Sequence, residues 1–273
     1  MKRARTQGIL RIALTGIAAM ALGPLAPVAL PATTSSPSVS SQPTQHQKRI
    51  IGGHPDPYND TSWVAALIRK DKGTQWCGGS LIASRYVLTA AHCTWNTSRR
   101  QWKVRLGSKR WDRGGVVRRV KRIFVYPHFN HRTLYGDLSV LKLSKPVNLG
   151  PAYLVSSGTS YVTNPPTQAY IAGWGATRRD GSGYPRTLYS TWIWLLPDRD
   201  CGSGFEGSVE ICAGAQGRDT CFGDSGGPLA VWDGSWWQLV GVTSYGWGNR
   251  CGRRNSAYAW VGSPALHRWL TGS

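Results

Sequence analysis

The chain has 273 residues, with 33 Lys and Arg against 13 Asp and Glu, a formal net charge of +20. Beyond the N-terminal region no stretch approaches eighteen continuous apolar residues, so no membrane span is expected in the remainder. No pair among Cys77, Cys93, Cys201, Cys212, Cys221 and Cys251 has CxxC spacing, which argues against zinc and redox sites and for three disulfides in an exported chain.

Lys2, Arg3 and Arg5 precede the apolar run Ile12 to Leu22, followed by small residues and prolines up to Ala32. This is the pattern of a secretory signal peptide over 1–32, with cleavage expected between Ala26 and Ala32. Residues 33–49 hold almost no large apolar side chain to offset ordering entropy, and read as a flexible presegment ending at Lys48-Arg49. At Ile50 the composition turns aromatic and β-branched, and the 224 residues over 50–273 suit one large or two small domains. Six of the cations lie in 1–49, which leaves 27 Lys and Arg against the 13 acids from Ile50 on, a net +14.

Short β-rich runs follow in chain order: SWVAALI, SLIASRYVLTA, WKVRL, GVVRRVKRIFVY, LSVLKL, QAYIAGW, STWIWLL, QLVGVTSY and AYAWV. Many alternate apolar with polar, and turn signals separate them, so an all-β sandwich or barrel is predicted. SPALHRWL is the exception. Ser263 suits a cap and Pro264 a first helical position, so a short C-terminal helix closes the chain.

The stretch CFGDSGGPLA sets Asp224 before Ser225 and two glycines after it, a geometry that glycine permits at positive φ. A nucleophilic serine needs a base to take its proton and a third group to orient that base. His92, in LTAAHC at a strand end, is a candidate base. Asp137, in LYGDLSVLKL at the head of an apolar strand, is a carboxylate whose burial would demand a donor.

TAAHC, GDLSVL and GDSGGP, in that order, resemble the trypsin/chymotrypsin family of serine endopeptidases, as do RIIGG, CGGSLI, AGWG and SYGWG. The resemblance runs from Ile50 to the C-terminal helix. It implies a peptidase domain over 50–273 of two six-stranded antiparallel β-barrels, about 50–155 and about 156–273, with the site between them. It also implies Ser225 as nucleophile, His92 as proton shuttle and Asp137 as the group that orients His92. Gly223 and Ser225 would supply the oxyanion-hole N–H groups, and Ser244 would support Asp137. Cleavage after Arg49 by an activating protease would free the ammonium of Ile50 to pair with Asp224. The implied disulfides are Cys77–Cys93, Cys201–Cys212 and Cys221–Cys251.

Asp219, six residues before Ser225, stands where trypsin-like members bind the Arg or Lys of the substrate. Gly246 matches one wall of that S1 pocket, with Ser244 beside it. Ser256 stands where the family carries glycine on the opposite wall, and Tyr245 replaces a common tryptophan. The loop SKRWDRGGVVRRVKR has one acid, too few oxygen ligands for calcium, so no metal or cofactor is expected there. Arg118, Arg119, Lys121 and Arg122 belong to a basic run that reads either as a solvated strand face or as a polyanion exosite. Trp192, Trp194, Trp236 and Trp237 are read as barrel packing. The sequons at Asn59 and Asn96 bear on glycosylation only in a host that performs it. Together these residues predict a secreted, monomeric zymogen of a serine endopeptidase acting on peptide or protein substrates after Arg or Lys. The residues leave two alternatives: the same fold and triad with another P1 preference, or a catalytically silent polyanion-binding protein of the same fold.

Overall fold

In WKVRL, Trp102, Val104 and Leu106 are buried while Lys103 is exposed. That period-two alternation places one face of the strand in a core and the other in water. The computed structural model describes residues 50–248 and 250–272. The expected signal peptide (1–32), the presegment (33–49) and Arg49 lie outside the described residues.

After a short β1 (His54–Pro55) come β2 (Val64–Arg69), β3 (Thr74–Ala83), β4 (Tyr86–Thr89), the single-turn α1 (Ala91–Thr94), β5 (Trp102–Leu106), β6 (Val116–Val125) and β7 (Ser139–Leu143). Strands β2 to β7 close a barrel in the order β2-β3-β4-β7-β6-β5, every pairing antiparallel. The second half holds β8 (Tyr153–Leu154), β9 (Gln168–Gly173), β10 (Tyr189–Leu196), β11 (Glu210–Gly214), β12 (Pro228–Trp232), β13 (Trp237–Gly246), β14 (Ser256–Trp260) and α2 (Pro264–Thr271). Here β9-β10-β11-β14-β13-β12 forms a second antiparallel ring, closed by the β12–β9 pairing. β1 adds to β10, and β8 runs parallel to β13. The architecture is the predicted one, two six-stranded barrels and a C-terminal helix. Among the described residues no helix is long and apolar enough to cross a membrane.

Trp102, Leu67, Leu81, Leu88 and Leu141 are buried in the first half and Tyr170, Trp174 and Tyr258 in the second, while Trp63 packs on Tyr170 and Trp237. Each large side chain so buried contributes about 1.5–3 kcal/mol of hydrophobic stabilisation. A polar hub sits among the aromatics. Asp56 accepts from Thr61 Oγ1 at 2.7 Å, Tyr170 Oη at 2.8 Å and Ser190 Oγ at 2.8 Å, and pairs with the Lys109 ammonium. Lys109 also donates to the Tyr58 carbonyl and to Thr61 Oγ1. The basic loop after β5 thus carries its own cation into an oxygen cluster and ties itself to the segment between β1 and β2 and, through Asp56, to β9 and β10.

Several local expectations change. SLIASRYVLTA is two strands, β3 and β4. Ser263 precedes α2 but does not cap it, because its hydroxyl donates instead to the Ser208 carbonyl at 2.7 Å. Trp237 is buried and Trp192 half-buried, whereas Trp194 and Trp236 stand exposed at 39% and 57%, so those two are not barrel packing.

Candidate active site

His92 lies on α1, the one helical turn that follows β4, and Asp137 lies at the head of β7, only 1% exposed. Three donors converge on that carboxylate. His92 Nδ1 is 2.7 Å from Oδ2, the His92 backbone N–H donates to Oδ1 at 2.8 Å, and Ser244 Oγ donates to Oδ2 at 2.6 Å. Ser244 belongs to β13, so residues of both barrels hold one acid. A carboxylate only accepts, so the proton of neutral His92 sits on Nδ1 and Nε2 is left as a base. Burial opposes charge on His92, but the attraction of Asp137 and its hydrogen bond outweigh it and raise the imidazole pKa.

Ser225 occupies the turn before β12, half-buried, with its carbonyl accepting from Gly78 N at 2.8 Å. Cys93 Sγ lies 3.7 Å from both His92 Nε2 and the Ser225 carbonyl oxygen, which brings histidine and serine to one place. The disulfide Cys77–Cys93 therefore staples β3 to the helical turn that carries the histidine; Cys201–Cys212 and Cys221–Cys251 complete the three. Cys77, His92 and Cys93 cluster as three metal ligands would, but both sulfurs are spent in the disulfide and offer no thiolate. Glycine lets the serine turn close on the first barrel: Gly226 has φ +79°, and a Cβ there would stand 2.1 Å from Thr89 Oγ1.

Gly223 has φ +93°. Among the described residues neither its N–H nor that of Ser225 meets a protein acceptor, so two backbone donors stand free beside the hydroxyl. Gln75, a buried residue of β3, donates from Nε2 to the Gly223 carbonyl at 2.8 Å and so holds the Gly223–Asp224 peptide, next to the one that carries the Gly223 N–H. Sequence reasoning missed Gln75, since TQWCGG carries no chemical signal at that position.

Beside Ser225 opens a pocket lined by Asp219, Thr220, Ser244, Gly246 and Ser256. Asp219 is 4% exposed. Its carboxylate accepts from Ser256 Oγ at 2.9 and 3.1 Å, from Thr220 N at 2.8 Å and from Gly252 N at 3.1 Å. Burial pushes its pKa up to about 6 against those hydrogen bonds. Asp219, Ser225, Ser244, Gly246 and Ser256 thus share one pocket, with Asp137 and His92 joined to it through Ser244, and among the described residues no cation pairs with Asp219. Tyr245 on β13 donates to the buried Glu210 at 2.9 Å, a second wall contact that the sequence did not reveal.

Asp224 points away from the pocket into a slot between Gly173 and Gly175, where a Cβ on either glycine would strike its carboxylate. It is 1% exposed and accepts from Gly175 N at 2.7 Å and Cys221 N at 3.0 Å. Burial raises its pKa to about 7. Ile50 is fully buried with φ +37°, a left-handed conformation costly for a β-branched residue. Its neighbour Ile51 accepts from Asp219 N at 3.1 Å, so the start of the domain touches the pocket floor directly.

Comparison with known proteins agrees with this geometry. The family model described as "Trypsin" matches residues 50–270. Human kallikrein-14 is 34% identical over 214 residues, 76% of this chain and 77% of the relative. Trypsin of Sus scrofa is 34% identical over 221 residues, 78% and 90%. Trypsin alpha of Drosophila melanogaster is 32% identical over 228 residues, 81% and 86%.

Proposed function

The chain belongs to the trypsin family of serine endopeptidases, and from that premise we propose a Ser225-His92-Asp137 mechanism with specificity for Arg or Lys at P1. As a member it is a hydrolase acting on peptide and protein substrates. The observation that carries the finer reading is the chain of hydrogen bonds from Ser244 through Asp137 to His92 Nδ1, which leaves Nε2 basic on the side of Ser225.

In this reading Ser225 Oγ attacks the scissile carbonyl as His92 Nε2 takes its proton. Asp137 holds the ring and stabilises the imidazolium. The free N–H groups of Gly223 and Ser225 receive the oxyanion, and losing one such donor typically costs about 2.7–4 kcal/mol of barrier. His92 then protonates the leaving amine, and water repeats the sequence on the acyl-enzyme. Asp219 at the pocket floor receives the substrate cation through charge-assisted hydrogen bonds. The unit over 50–273 is the peptidase domain, 33–49 a propeptide cut after Arg49 by an activating protease, and 1–32 a signal peptide that sends a monomer outside the cell. A polyanion is a further proposed partner, met by the basic wall of the first barrel.

The test is turnover of the Arg49-cleaved protein on peptides that differ only at P1, with Ser225→Ala and His92→Ala beside it. Cleavage after Arg and Lys is expected, and either variant should lose several orders of magnitude, keeping about 10³–10⁴-fold over water. Near-wild-type turnover in either variant would exclude the mechanism, and preference for Phe or Leu would exclude the basic P1. Asp219 argues against that second reading, and Ser256 is the one residue that favours it.

A further inference from the structure

From Lys72 to Arg179 the sequence contains only two acids, Asp112 and Asp137. Asp137 is buried, and Asp112 is engaged by Arg110 at 2.8 Å and Arg186 at 3.7 Å. Strands β5, β6 and β7 therefore carry cations and no carboxylate, and the barrel's exposed acid Asp71, in the β2–β3 turn, is taken by Arg69 at 2.6 Å. The strand register shows how the charges lie. Lys103 of β5 stands opposite Arg119 of β6, and Arg122 of β6 stands opposite Lys142 of β7. Like charges directly opposite on neighbouring strands repel and destabilise the pair. Among the described residues none of these four, nor Lys121 between them, has a carboxylate within 4.0 Å.

A bulge at Lys121 makes the stripe. Val120 pairs with Leu143 and Arg122 with Lys142, so Lys121 is an extra residue and Arg122 turns to the same outer face as Arg119. Arg118 does not join them. It shares the face of the buried Val104, and its guanidinium donates to the Pro146 carbonyl at 3.3 and 3.2 Å. The cluster named from sequence loses Arg118 and gains Lys103 and Lys142. Two of the cations are held in place: Arg122 Cζ lies 4.7 Å from the Phe124 ring centroid and Lys142 Nζ 5.4 Å from that of Tyr86. Such stacking lowers the entropy lost when the groups bind an anion.

We propose that this stripe of Lys103, Arg119, Lys121, Arg122 and Lys142 is a binding surface for a linear sulfated polysaccharide. Guanidinium forks match the tetrahedral oxyanion, and repulsion between the paired cations disappears when the polymer supplies the counter-charge. Phe124 and Tyr86 each already carry one of the stripe's own cations, so a nucleobase stacking there must compete with that cation. The wall of a closed barrel is convex, which suits a flexible chain better than a flat bilayer.

The test uses the full chain carrying Ser225→Ala, so that it cannot digest itself, titrated with size-defined heparin oligosaccharides at several salt concentrations. Lys103→Gln, Arg119→Gln, Arg122→Gln and Lys142→Gln together should weaken binding about tenfold or more and flatten its salt dependence. A control with Arg178→Gln, Arg179→Gln, Arg253→Gln and Arg268→Gln, equal in charge and exposed elsewhere, should weaken it much less. Equal losses in the two quadruple variants would reduce the stripe to diffuse charge. Tighter binding to single-stranded DNA or to phosphatidylserine vesicles than to heparin would overturn the choice of polymer. Thermal unfolding should place the stripe variant no lower than the wild type; if it fails to fold, Arg119→Gln and Arg122→Gln singly should each show part of the loss, and no loss in either overturns the proposal.

Discussion

The Ser256 hydroxyl lies 2.9 and 3.1 Å from the two carboxylate oxygens of Asp219 and shares its one proton between them. Thr220 N takes a further site on Oδ1 and Gly252 N on Oδ2. A carboxylate has about four acceptor sites, so this one is nearly full before substrate arrives. A guanidinium fork needs both oxygens and must displace Ser256, whereas an ammonium needs one. The wild type is therefore expected to favour Lys at P1. Ser256→Gly should shift the Arg/Lys ratio of kcat/KM towards Arg by about tenfold, the size of one charge-assisted hydrogen bond. Paired peptide substrates measure it, and an unchanged ratio would remove Ser256 from specificity.

The same carboxylate sets a pH dependence. Burial lifts Asp219 to about 6, and the attraction of Asp137 lifts His92 above its ordinary value. As pH falls through about 6, Asp219 becomes neutral and releases the substrate cation, so KM for a Lys substrate rises. Protonation of His92 removes the base for every substrate. The acid limb of kcat/KM should thus be steeper for a Lys peptide than for an ester with a neutral P1. Parallel limbs would mean that Asp219 does not meet the substrate.

Gln75 is expected to act as a positioning residue through the Gly223–Asp224 peptide, whose carbonyl it holds at 2.8 Å. Gln75→Leu keeps the volume but removes the donor, leaving the carbonyl of the oxyanion turn free to rotate. The expected outcome is a fall in kcat of about tenfold with KM nearly unchanged, smaller than the 10²–10³ for losing an oxyanion donor itself. A rise in KM with constant kcat would assign Gln75 to substrate binding instead.

Lys109→Ala strands the carboxylate of Asp56, whose side chain is fully buried. Removing one partner of a buried pair costs about 3–5 kcal/mol, and the remaining donors Thr61, Tyr170 and Ser190 place this case at the lower end. Thermal unfolding should show a clear fall in Tm. A loss under about 1 kcal/mol would mean that the hub tolerates the lone acid.

The limits of reading the sequence follow from particular residues. WKVRL is a strand from end to end because its alternation is undisturbed, whereas GVVRRVKRIFVY hides a bulge. Period two puts Arg118 and Arg122 on one face; the extra residue at Lys121 reverses the parity, and only the register with β7 reveals it. β11 and β12 were missed because EICAG and PLAVW are short and lie against motifs that read as chemistry. His92, Asp137, Ser225 and Asp219 can be nominated from sequence because each sits in a motif, and the structure bonds His92 to Asp137 and sets Ser225 and Asp219 on one pocket. Gln75 and Glu210 act through partners 148 and 35 residues away, which no local pattern encodes.

In the proposed activation the Ile50 nitrogen freed by cleavage pairs with Asp224. In the uncut chain the Ile50 nitrogen is an amide, and Asp224 sits in its slot with two backbone donors and a pKa raised to about 7. An acid whose folded pKa exceeds its unfolded value binds more protons when folded, so its effect on stability worsens as pH rises from about 4 to about 7. Cutting after Arg49 creates an α-ammonium of ordinary pKa about 7.7–8.0, and pairing with Asp224 raises that value while lowering the acid's. The pair's stabilisation is then complete below the unfolded amine pKa and is lost as pH rises through the raised folded one. An Arg49→Gln chain should stay uncut by trypsin-like activators, nearly inactive, and lose Tm between pH 4 and 7 more steeply than the cut protein. The cut protein should instead lose both activity and Tm above about pH 8. Full activity in the uncut variant, or identical Tm profiles against pH for the two forms, would disprove the switch.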